Sequence, residues 1–269
     1  MSGRIAIERR GAVAVIAFDN PPRGYLDAAQ TAQLDAALDE VAADDAVRAV
    51  VFAGAVPGVF VRHYDVGEIL GVADRLRAAG LSDEALAAQA AAGNAVTLAF
   101  DKIDRLAKPT LAAIDGWCQG GGFELALACD LRIVQAGDFR IGLPETRLGI
   151  VPGAGGTERL PRLIGEGRAL ELILRGRTVT PEEGLALGMV HEMAPQGALP
   201  RALELAAELA GRPRRALAEA KALVKNRDGL GPAEAGARAR ARFMAVLDDP
   251  DALRLMRAFL AEGEDINRG

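Results

Sequence analysis

Short apolar runs alternate with stretches of helical periodicity over the first two thirds of the chain. Runs rich in Val, Ala and Ile predict buried strands at 12–18, 48–53, 110–114 and 131–134. Apolar residues at helical spacing predict helices at 28–42 and 82–107, the second interrupted by Gly93. Because strands that alternate with helices favour crossover connections, we expect an α/β fold with a largely parallel sheet.

The pattern changes after about residue 195. Residues 198–260 are rich in Ala, Leu, Glu and Arg, with breaks at 211–213, 229–232 and 249–250. This composition predicts several helices and no strand. Their apolar residues must cover either the core or a neighbouring subunit. We therefore divide the chain into a core with the active site, residues 1–195, and a C-terminal helical segment, residues 196–269.

Composition narrows the class of protein. A chain of 269 residues that is 50% hydrophobic suits one compact domain with an appended piece. Its formal net charge of −5 argues against a nucleic-acid surface, and the Arg clusters at 212–215 and 238–242 fit solvated helix faces. The polar N-terminus and the lack of a run of about 20 apolar residues predict a soluble, cytoplasmic protein without a membrane contact.

Histidine and cysteine are too few for common metal or disulfide chemistry. The chain has two histidines, His63 and His191, and two cysteines, Cys118 and Cys129. Neither pair has a spacing typical of metal ligands. We expect no metal site, and we interpret both cysteines as small buried core residues.

A glycine triplet follows the predicted strand at 110–114. Gly120, Gly121 and Gly122 stand directly before Phe123 and Glu124, where a helix is predicted to begin. Without side chains, the triplet lets the backbone approach a bound group, towards which free N–H groups and the helix dipole would point. The alternative is a tight turn that needs glycine for its geometry alone.

A second candidate loop carries two carboxylates. Residues 142–157 are too rich in Gly and Pro for a regular element, so we expect an ordered loop there. Glu145 stands among apolar residues directly after Pro144, whereas Glu158 begins a helical pattern and is expected to be exposed.

Several ordered motifs resemble one family. Residues 108–110 read Lys-Pro-Thr, 120–133 read Gly-Gly-Gly-Phe-Glu-Leu-Ala-Leu-Ala-Cys-Asp-Leu-Arg-Ile, 143–149 read Leu-Pro-Glu-Thr-Arg-Leu-Gly, and 152–165 read Pro-Gly-Ala-Gly-Gly-Thr-Glu-Arg-Leu-Pro-Arg-Leu-Ile-Gly. This order resembles the enoyl-CoA hydratase/isomerase (crotonase) family. The resemblance implies a spiral core of repeated ββα units. It also implies C-terminal helices that assemble a homotrimer or a dimer of trimers (a hexamer).

The resemblance also implies the site residues. The family's reactions pass through a thioester enolate, whose oxygen is stabilised by two backbone N–H donors. By resemblance these donors are Gly121 and Tyr64. The family's acids correspond to Glu124, which would activate water, and Glu145, which would transfer a proton at the α-carbon, although the two roles could be reversed. For Glu124 the alternative is a carboxylate favoured by the helix dipole alone. The implied substrate is an acyl-CoA, with coenzyme A as part of the substrate and no separate cofactor.

Two loops depart from the family pattern. Phe-x-Ala-Gly-Ala-Asp-Leu is common in the family, but 60–66 reads Phe-Val-Arg-His-Tyr-Asp-Val, and 22–26 reads Pro-Arg-Gly-Tyr-Leu where Pro-x-Asn-Ala-Leu is common. His63 either points to solvent or lines the pocket as an acid, base or donor. Asp65 is expected to cap the next helix in a capping box with Glu68, and the ring of Tyr64 to narrow the pocket. The expected substrate-binding residues are Tyr25, Leu26, His63, Asp65, Gly120 and Pro144.

The leading functional hypothesis is an enoyl-CoA hydratase, a lyase that adds water to an α,β-unsaturated thioester. The alternatives within the family are an isomerase, a dehydratase and a C–C bond hydrolase. A different class would be a non-catalytic protein that binds CoA or RNA. The presence of both acids and the lack of a lysine-rich helix favour an enzyme.

Overall fold

The computed structural model describes residues 3–225 and 229–262. The strands are β1 (Arg4–Arg10), β2 (Val13–Asp19), β3 (Ala49–Gly54), β4 (Val59–Val61), β5 (Thr110–Ile114), β6 (Trp117–Gln119), β7 (Leu131–Gln135), β8 (Ile141–Gly142), β9 (Thr178–Val179) and β10 (Glu192–Ala194). The α-helices are α1 (Ala28–Ala43), α2 (Val66–Ala79), α3 (Asp83–Ala91), α4 (Ala95–Arg105), α5 (Gly121–Ala128), α6 (Gly156–Ile164), α7 (Glu166–Leu174), α8 (Pro181–Ala186), α9 (Ala198–Ala210), α10 (Arg214–Lys225), α11 (Pro232–Val246) and α12 (Pro250–Glu262). A 3₁₀ helix spans Glu145–Leu148.

Two sheets organise the core. The larger has the order β1-β2-β3-β5-β7-β10, in which β1 pairs antiparallel with β2 and the other pairs are parallel. The smaller has the order β4-β6-β8-β9, with only the last pair antiparallel. The predicted α/β class with a largely parallel sheet is confirmed.

The chain builds these sheets in successive turns. The pairs β3 and β4, β5 and β6, and β7 and β8 each give one strand to the larger sheet and then one to the smaller. Helices follow each pair, as α5 follows β6. This is the spiral of ββα units that the family resemblance implied. It stacks the ends of β4, β6 and β8 side by side, which brings the loops after them together.

The C-terminal segment begins with a helix that belongs to the core. One face of α9 is made of alanines, which pack on β3, β5 and β7 in a second apolar cluster: Ala198, Ala202, Ala206 and Ala210. Small side chains let the helix lie close to the sheet. The next two helices, α10 and α11, have no fully buried residue among those described. Large apolar side chains stay exposed on α11 and α12, including Phe243, Met244, Phe259 and Leu260.

Most sequence predictions of elements are confirmed within one or two residues. Gly93 separates α3 from α4, and the three predicted C-terminal breaks separate α9 to α12. The expectation that 142–157 holds no regular element is wrong, because Glu145 lies in the one-turn 3₁₀ helix. The division at residue 195 and the trimeric or hexameric assembly stay predictions.

Cys118 and Cys129 are both buried and free, as predicted. Among the helices described, none is long and apolar enough to cross a bilayer.

The close packing of the alanine face of α9 predicts that a larger side chain there will lower the free energy of unfolding. Ala206 is completely buried against the sheet, while its neighbour Ala207 is exposed. We expect Ala206→Leu to overpack this contact and to lower the free energy of unfolding by about 1–3 kcal/mol. Urea unfolding measures it, with Ala207→Leu as the matched control. Equal midpoints for the two variants would contradict close packing of α9 on the sheet.

Candidate active site

The first turn of α5 touches the chain that follows β4. A Cβ added to Gly122 would lie 1.9 Å from the Val61 carbonyl oxygen, closer than any side chain tolerates. A Cβ added to Gly121 would lie 3.2 Å from the Tyr64 Cβ and 3.4 Å from the Tyr64 nitrogen. Glycine is therefore required at position 122, while Gly121 packs closely on Tyr64. The contact brings together the two residues that were predicted as N–H donors.

Both predicted donors have free N–H groups within the part of the chain that the structure describes. The Tyr64 segment forms an isolated parallel bridge with Leu26, in which the Leu26 N–H donates to His63 O at 2.9 Å and the Asp65 N–H donates to Leu26 O at 2.8 Å. Since successive N–H groups of an extended chain point to opposite sides and the Asp65 N–H points to Leu26, the Tyr64 N–H points away from Leu26. The Gly121 N–H begins α5, where a helix has no internal acceptor to offer.

Glu124 is a buried carboxylate that is held by backbone donors. Only 3% of its surface is exposed, and its Oε1 accepts hydrogen bonds from the N–H groups of Ala154 at 2.8 Å and Gly156 at 2.9 Å. Burial raises the pKa of Glu124, while these two hydrogen bonds and the charge of Arg159 oppose the rise. The side chain is thus fixed in orientation and has one oxygen left for another partner.

Arg159 holds the loop that holds Glu124. Its Nη1 donates to the Ala154 carbonyl oxygen at 2.8 Å, and its Nε donates to Asp104 Oδ2 at 2.8 Å. This link between α6 and α4 was not predicted. The sequence shows Arg159 shortly after Gly155 and Gly156, but it does not show that Asp104 lies beside it.

Glu145 is the second buried acid, and its environment differs. Its Oε2 is buried and has no hydrogen-bond partner among the described residues, while Oε1 faces Gly120, 3.1 Å from where a Cβ would stand. Burial, and secondly the negative charge of Glu124, raise the pKa of Glu145 to about 7. Glu158 is exposed on α6, as predicted, and lies outside this arrangement.

Two side chains of the loop at 60–66, Arg62 and His63, pack on aromatic rings outside the loop. Arg62 lies over the ring of Trp117, with its Cζ 5.0 Å from the centroid. The His63 ring stacks on Tyr25 with centroids 4.2 Å apart, and His63 Nδ1 lies 2.7 Å from the Tyr64 carbonyl oxygen. A carbonyl only accepts, so Nδ1 carries the proton. The His63 side chain is half-buried and stacked on Tyr25, so it does not point freely into solvent.

Glycine is not required at position 63. The described residues include no non-glycine residue with positive φ, so the loop takes an ordinary extended path through His63 and Tyr64.

The predicted capping box at α2 is only half formed. Asp65 caps the helix, with its Oδ1 accepting from the Gly67 N–H at 2.7 Å and the Glu68 N–H at 3.2 Å. Glu68 does not return a bond to the Asp65 N–H, because its Oε2 accepts instead from the Tyr64 hydroxyl and the Ala28 N–H. The Tyr64 ring is therefore tied to α2, and the expectation that it narrows the pocket receives no support from this contact.

The other predicted substrate-binding residues occupy different settings. Gly120 has a φ of 50° and donates to Gly142 O at 2.9 Å, so it shapes the turn before α5. Pro144 precedes the 3₁₀ helix that carries Glu145. The Leu26 side chain is completely buried in the main core, so only its backbone reaches the loop at Tyr64. The Asp65 carboxylate is occupied by the cap of α2.

Solved structures share this architecture. The chain has a TM-score of 0.84 and 31% identity with DspI of Pseudomonas aeruginosa, covering 96% of this chain and 94% of that one. It has a TM-score of 0.83 and 30% identity with an enoyl-CoA hydratase of Bacillus anthracis, covering 96% of both chains. Together with the two-sheet spiral, these likenesses define a protein of the crotonase fold.

The sequence comparisons identify the family. The sequence model of the enoyl-CoA hydratase/isomerase family matches residues 8–243. The peroxisomal bifunctional enzyme of Danio rerio is 41% identical over 75% of this chain and 25% of its own length. The chain belongs to the enoyl-CoA hydratase/isomerase family. It spans about a quarter of the length of the first curated relatives that it matches, 25% and 26%.

The raised pKa of Glu145 predicts a pH-dependent stability difference. A carboxyl whose pKa rises from 4.5 to about 7 on folding favours the folded state below pH 4.5, and this contribution is lost as the pH rises through 7. Glu145→Gln cannot ionise, so between pH 4.5 and 8 its free energy of unfolding should rise relative to the wild type, by on the order of 3 kcal/mol. Urea unfolding at several pH values measures this. A difference that stays constant with pH would contradict a raised pKa.

Proposed function

We propose that this chain is an enoyl-CoA hydratase that adds water across an α,β-unsaturated CoA thioester. The observation that supports this most directly is the meeting of two buried carboxylates, Glu124 and Glu145, with the N–H groups of Gly121 and Tyr64 around one turn of α5. The B. anthracis neighbour is itself described as an enoyl-CoA hydratase. Coenzyme A would enter as part of the substrate, and the reaction requires no separate cofactor.

The two N–H groups would act on the thioester carbonyl oxygen. Water can add to the β-carbon only if the electron pair of the double bond moves towards that oxygen and forms an enolate. Donors that are already in place stabilise this charge without reorganisation. The position of Gly121 at the N-terminus of α5 adds the positive end of the helix dipole.

The two acids have environments that suit opposite proton transfers. Glu124 accepts two backbone N–H bonds, which favour its charged form, so it would orient water and take a proton from it. Glu145, with a pKa raised to about 7, keeps a proton available near neutral pH and would give it to the α-carbon. Hydroxide is thereby added to the β-carbon and a proton to the α-carbon. Exchange with solvent water then returns both carboxyl groups to their starting states.

Retention of both acids favours hydration over double-bond isomerisation, which needs one proton-transferring group. The isomerase, dehydratase and C–C hydrolase reactions remain alternatives of the same site. Incubation with crotonyl-CoA tests for hydration, which removes the absorbance of the conjugated thioester and yields 3-hydroxybutyryl-CoA, a product that neither an isomerase nor a C–C hydrolase forms. Failure to hydrate crotonyl-CoA and longer enoyl-CoAs would contradict the proposal.

Replacement of either acid should abolish most of the activity. We expect Glu124→Gln and Glu145→Gln each to lower kcat for hydration by about 10²–10⁴-fold, the usual contribution of a general acid or base. Binding of saturated butyryl-CoA should be retained in both. Glu158→Gln, on the exposed face of α6, is the control. A loss below tenfold in both acid variants would refute their assignment.

Proline at position 121 removes the backbone N–H, and alanine at the same position is the control for the added Cβ. Gly121 is the first residue of α5, a position that accepts proline. Gly121→Pro and Gly121→Ala both add a Cβ beside Tyr64, but only proline removes the N–H. We expect kcat of the proline variant to be about 10²–10³-fold below that of the alanine variant. Equal rates would show that this N–H does not stabilise the enolate.

A further inference from the structure

One carboxylate oxygen joins three segments beside the proposed oxyanion site. Glu68 Oε2, on α2, accepts a hydrogen bond from the Tyr64 hydroxyl at 2.7 Å and another from the Ala28 N–H at 2.9 Å. Tyr64 belongs to the loop after β4, and Ala28 is the first residue of α1. We name these three groups, Tyr64 OH, Glu68 Oε2 and Ala28 N–H, the Glu68 clamp.

The Glu68 clamp spans the backbone bridge that orients the Tyr64 N–H. A peptide unit is planar, so the direction of the Tyr64 N–H is fixed by the His63 carbonyl in the same plane. That carbonyl accepts from the Leu26 N–H. Leu26 lies two residues before Ala28, and Tyr64 lies four before Glu68, so the clamp ties together the two chain segments that form this bridge.

We propose that Glu68 is a positioning residue, which acts through Tyr64 and Ala28 to hold the Tyr64 N–H in line with the thioester carbonyl oxygen. This inference rests on the proposed hydratase function. It explains how a loop with Arg, His and Tyr, where relatives commonly have Ala-Gly-Ala, can present its N–H. The long tyrosine side chain anchors the loop to α2 instead of leaving the backbone free.

The electrostatic environment favours the hydrogen bond from the Tyr64 hydroxyl to Glu68. Burial, and secondly the hydrogen bond with Glu68, raise the pKa of Tyr64 well above its usual value, so the phenol stays a donor at working pH. A hydroxyl that donates to a carboxylate forms a stronger bond than one between neutral groups. Because the Glu68 carboxylate accepts from Tyr64 and Ala28, it makes no hydrogen bond with the Asp65 N–H, the bond that would complete the capping box at α2.

Tyr64→Phe tests the inference, since it removes one oxygen atom and keeps the N–H and the ring. We expect kcat for crotonyl-CoA hydration to fall about 5–10-fold, comparable to the loss of one hydrogen bond, with KM changed less than about twofold. Glu68→Ala should give a similar loss, and Glu68→Gln, whose amide oxygen can still accept, a smaller one. The double variant should lose no more than Glu68→Ala alone, because both changes break one linked set of bonds.

A second readout reports donor alignment without turnover. Butyryl-CoA labelled with ¹³C at the thioester carbonyl cannot be hydrated, and a hydrogen bond to its oxygen lowers the infrared stretching frequency. The wild type should show a lowered frequency, and Tyr64→Phe and Glu68→Ala should each reverse part of this shift. The shift should be unchanged in Glu204→Gln, an exposed glutamate of α9 paired with Arg201.

The outcomes separate the inference from the proposed function. A wild type that hydrates crotonyl-CoA, together with Tyr64→Phe at the wild-type kcat and carbonyl frequency, would overturn the role of Glu68 and leave the function standing. A wild type that shows neither hydration nor a lowered frequency would overturn both. If Glu68→Ala unfolds, thermal unfolding will show it, and Tyr64→Phe with Glu68→Gln still decides the question.

Discussion

The contact between the first turn of α5 and the chain after β4 is the constraint on which the site depends. The backbone at Gly122 presses against the Val61 carbonyl so closely that no side chain fits between them. This contact sets the distance between the Gly121 and Tyr64 N–H groups, and it places Glu124 one turn along the same helix. A larger separation between α5 and the chain after β4 would increase the distance between the Gly121 and Tyr64 N–H groups, and it would also move Glu124. The spiral of strand pairs is what presents β4 and α5 to each other.

Two buried carboxylates at such a site oppose each other electrostatically, and the structure resolves this by unequal solvation. Glu124 receives two backbone N–H bonds from the loop at Ala154, and these replace part of the lost water. Burial raises the pKa of Glu145 to about 7, and its Oε2 has no such donors among the described residues to oppose the rise. Burial raises the pKa of both carboxyl groups, and only Glu124 has two loop N–H groups that oppose the rise, so the difference arises from loop placement and not from residue type.

The sequence predicted the parts of this arrangement that depend on local pattern. The strands β2, β3, β5 and β7, the break at Gly93 and the acids near glycine and proline were visible, because each has a signal within a few residues. The seven-residue edge strand β1 was missed, because its sequence Arg-Ile-Ala-Ile-Glu-Arg-Arg has too many charged residues to form an apolar run. The two- and three-residue strands β4, β6, β8, β9 and β10 are too short for periodicity to appear. Long-range partners are also invisible: the capping box with Asp65 was expected because Glu68 has the right spacing, and tertiary contacts captured that side chain instead.

The boundary at residue 195 separates compositions, but electrostatic contacts cross it. Asp104 Oδ2 accepts from Arg159, the residue that holds the loop beneath Glu124, and Asp104 Oδ1 pairs with Lys225 of α10 at 2.7 Å. Lys225 also donates to the Ala128 carbonyl oxygen at the C-terminal end of α5, at 2.9 Å. Both ends of the helix that carries Glu124 are therefore linked, through Arg159 and Lys225, to one partly buried aspartate. A displacement of α10 would leave Asp104 with Arg159 but without Lys225, so this helix contributes to the electrostatic setting of Glu124.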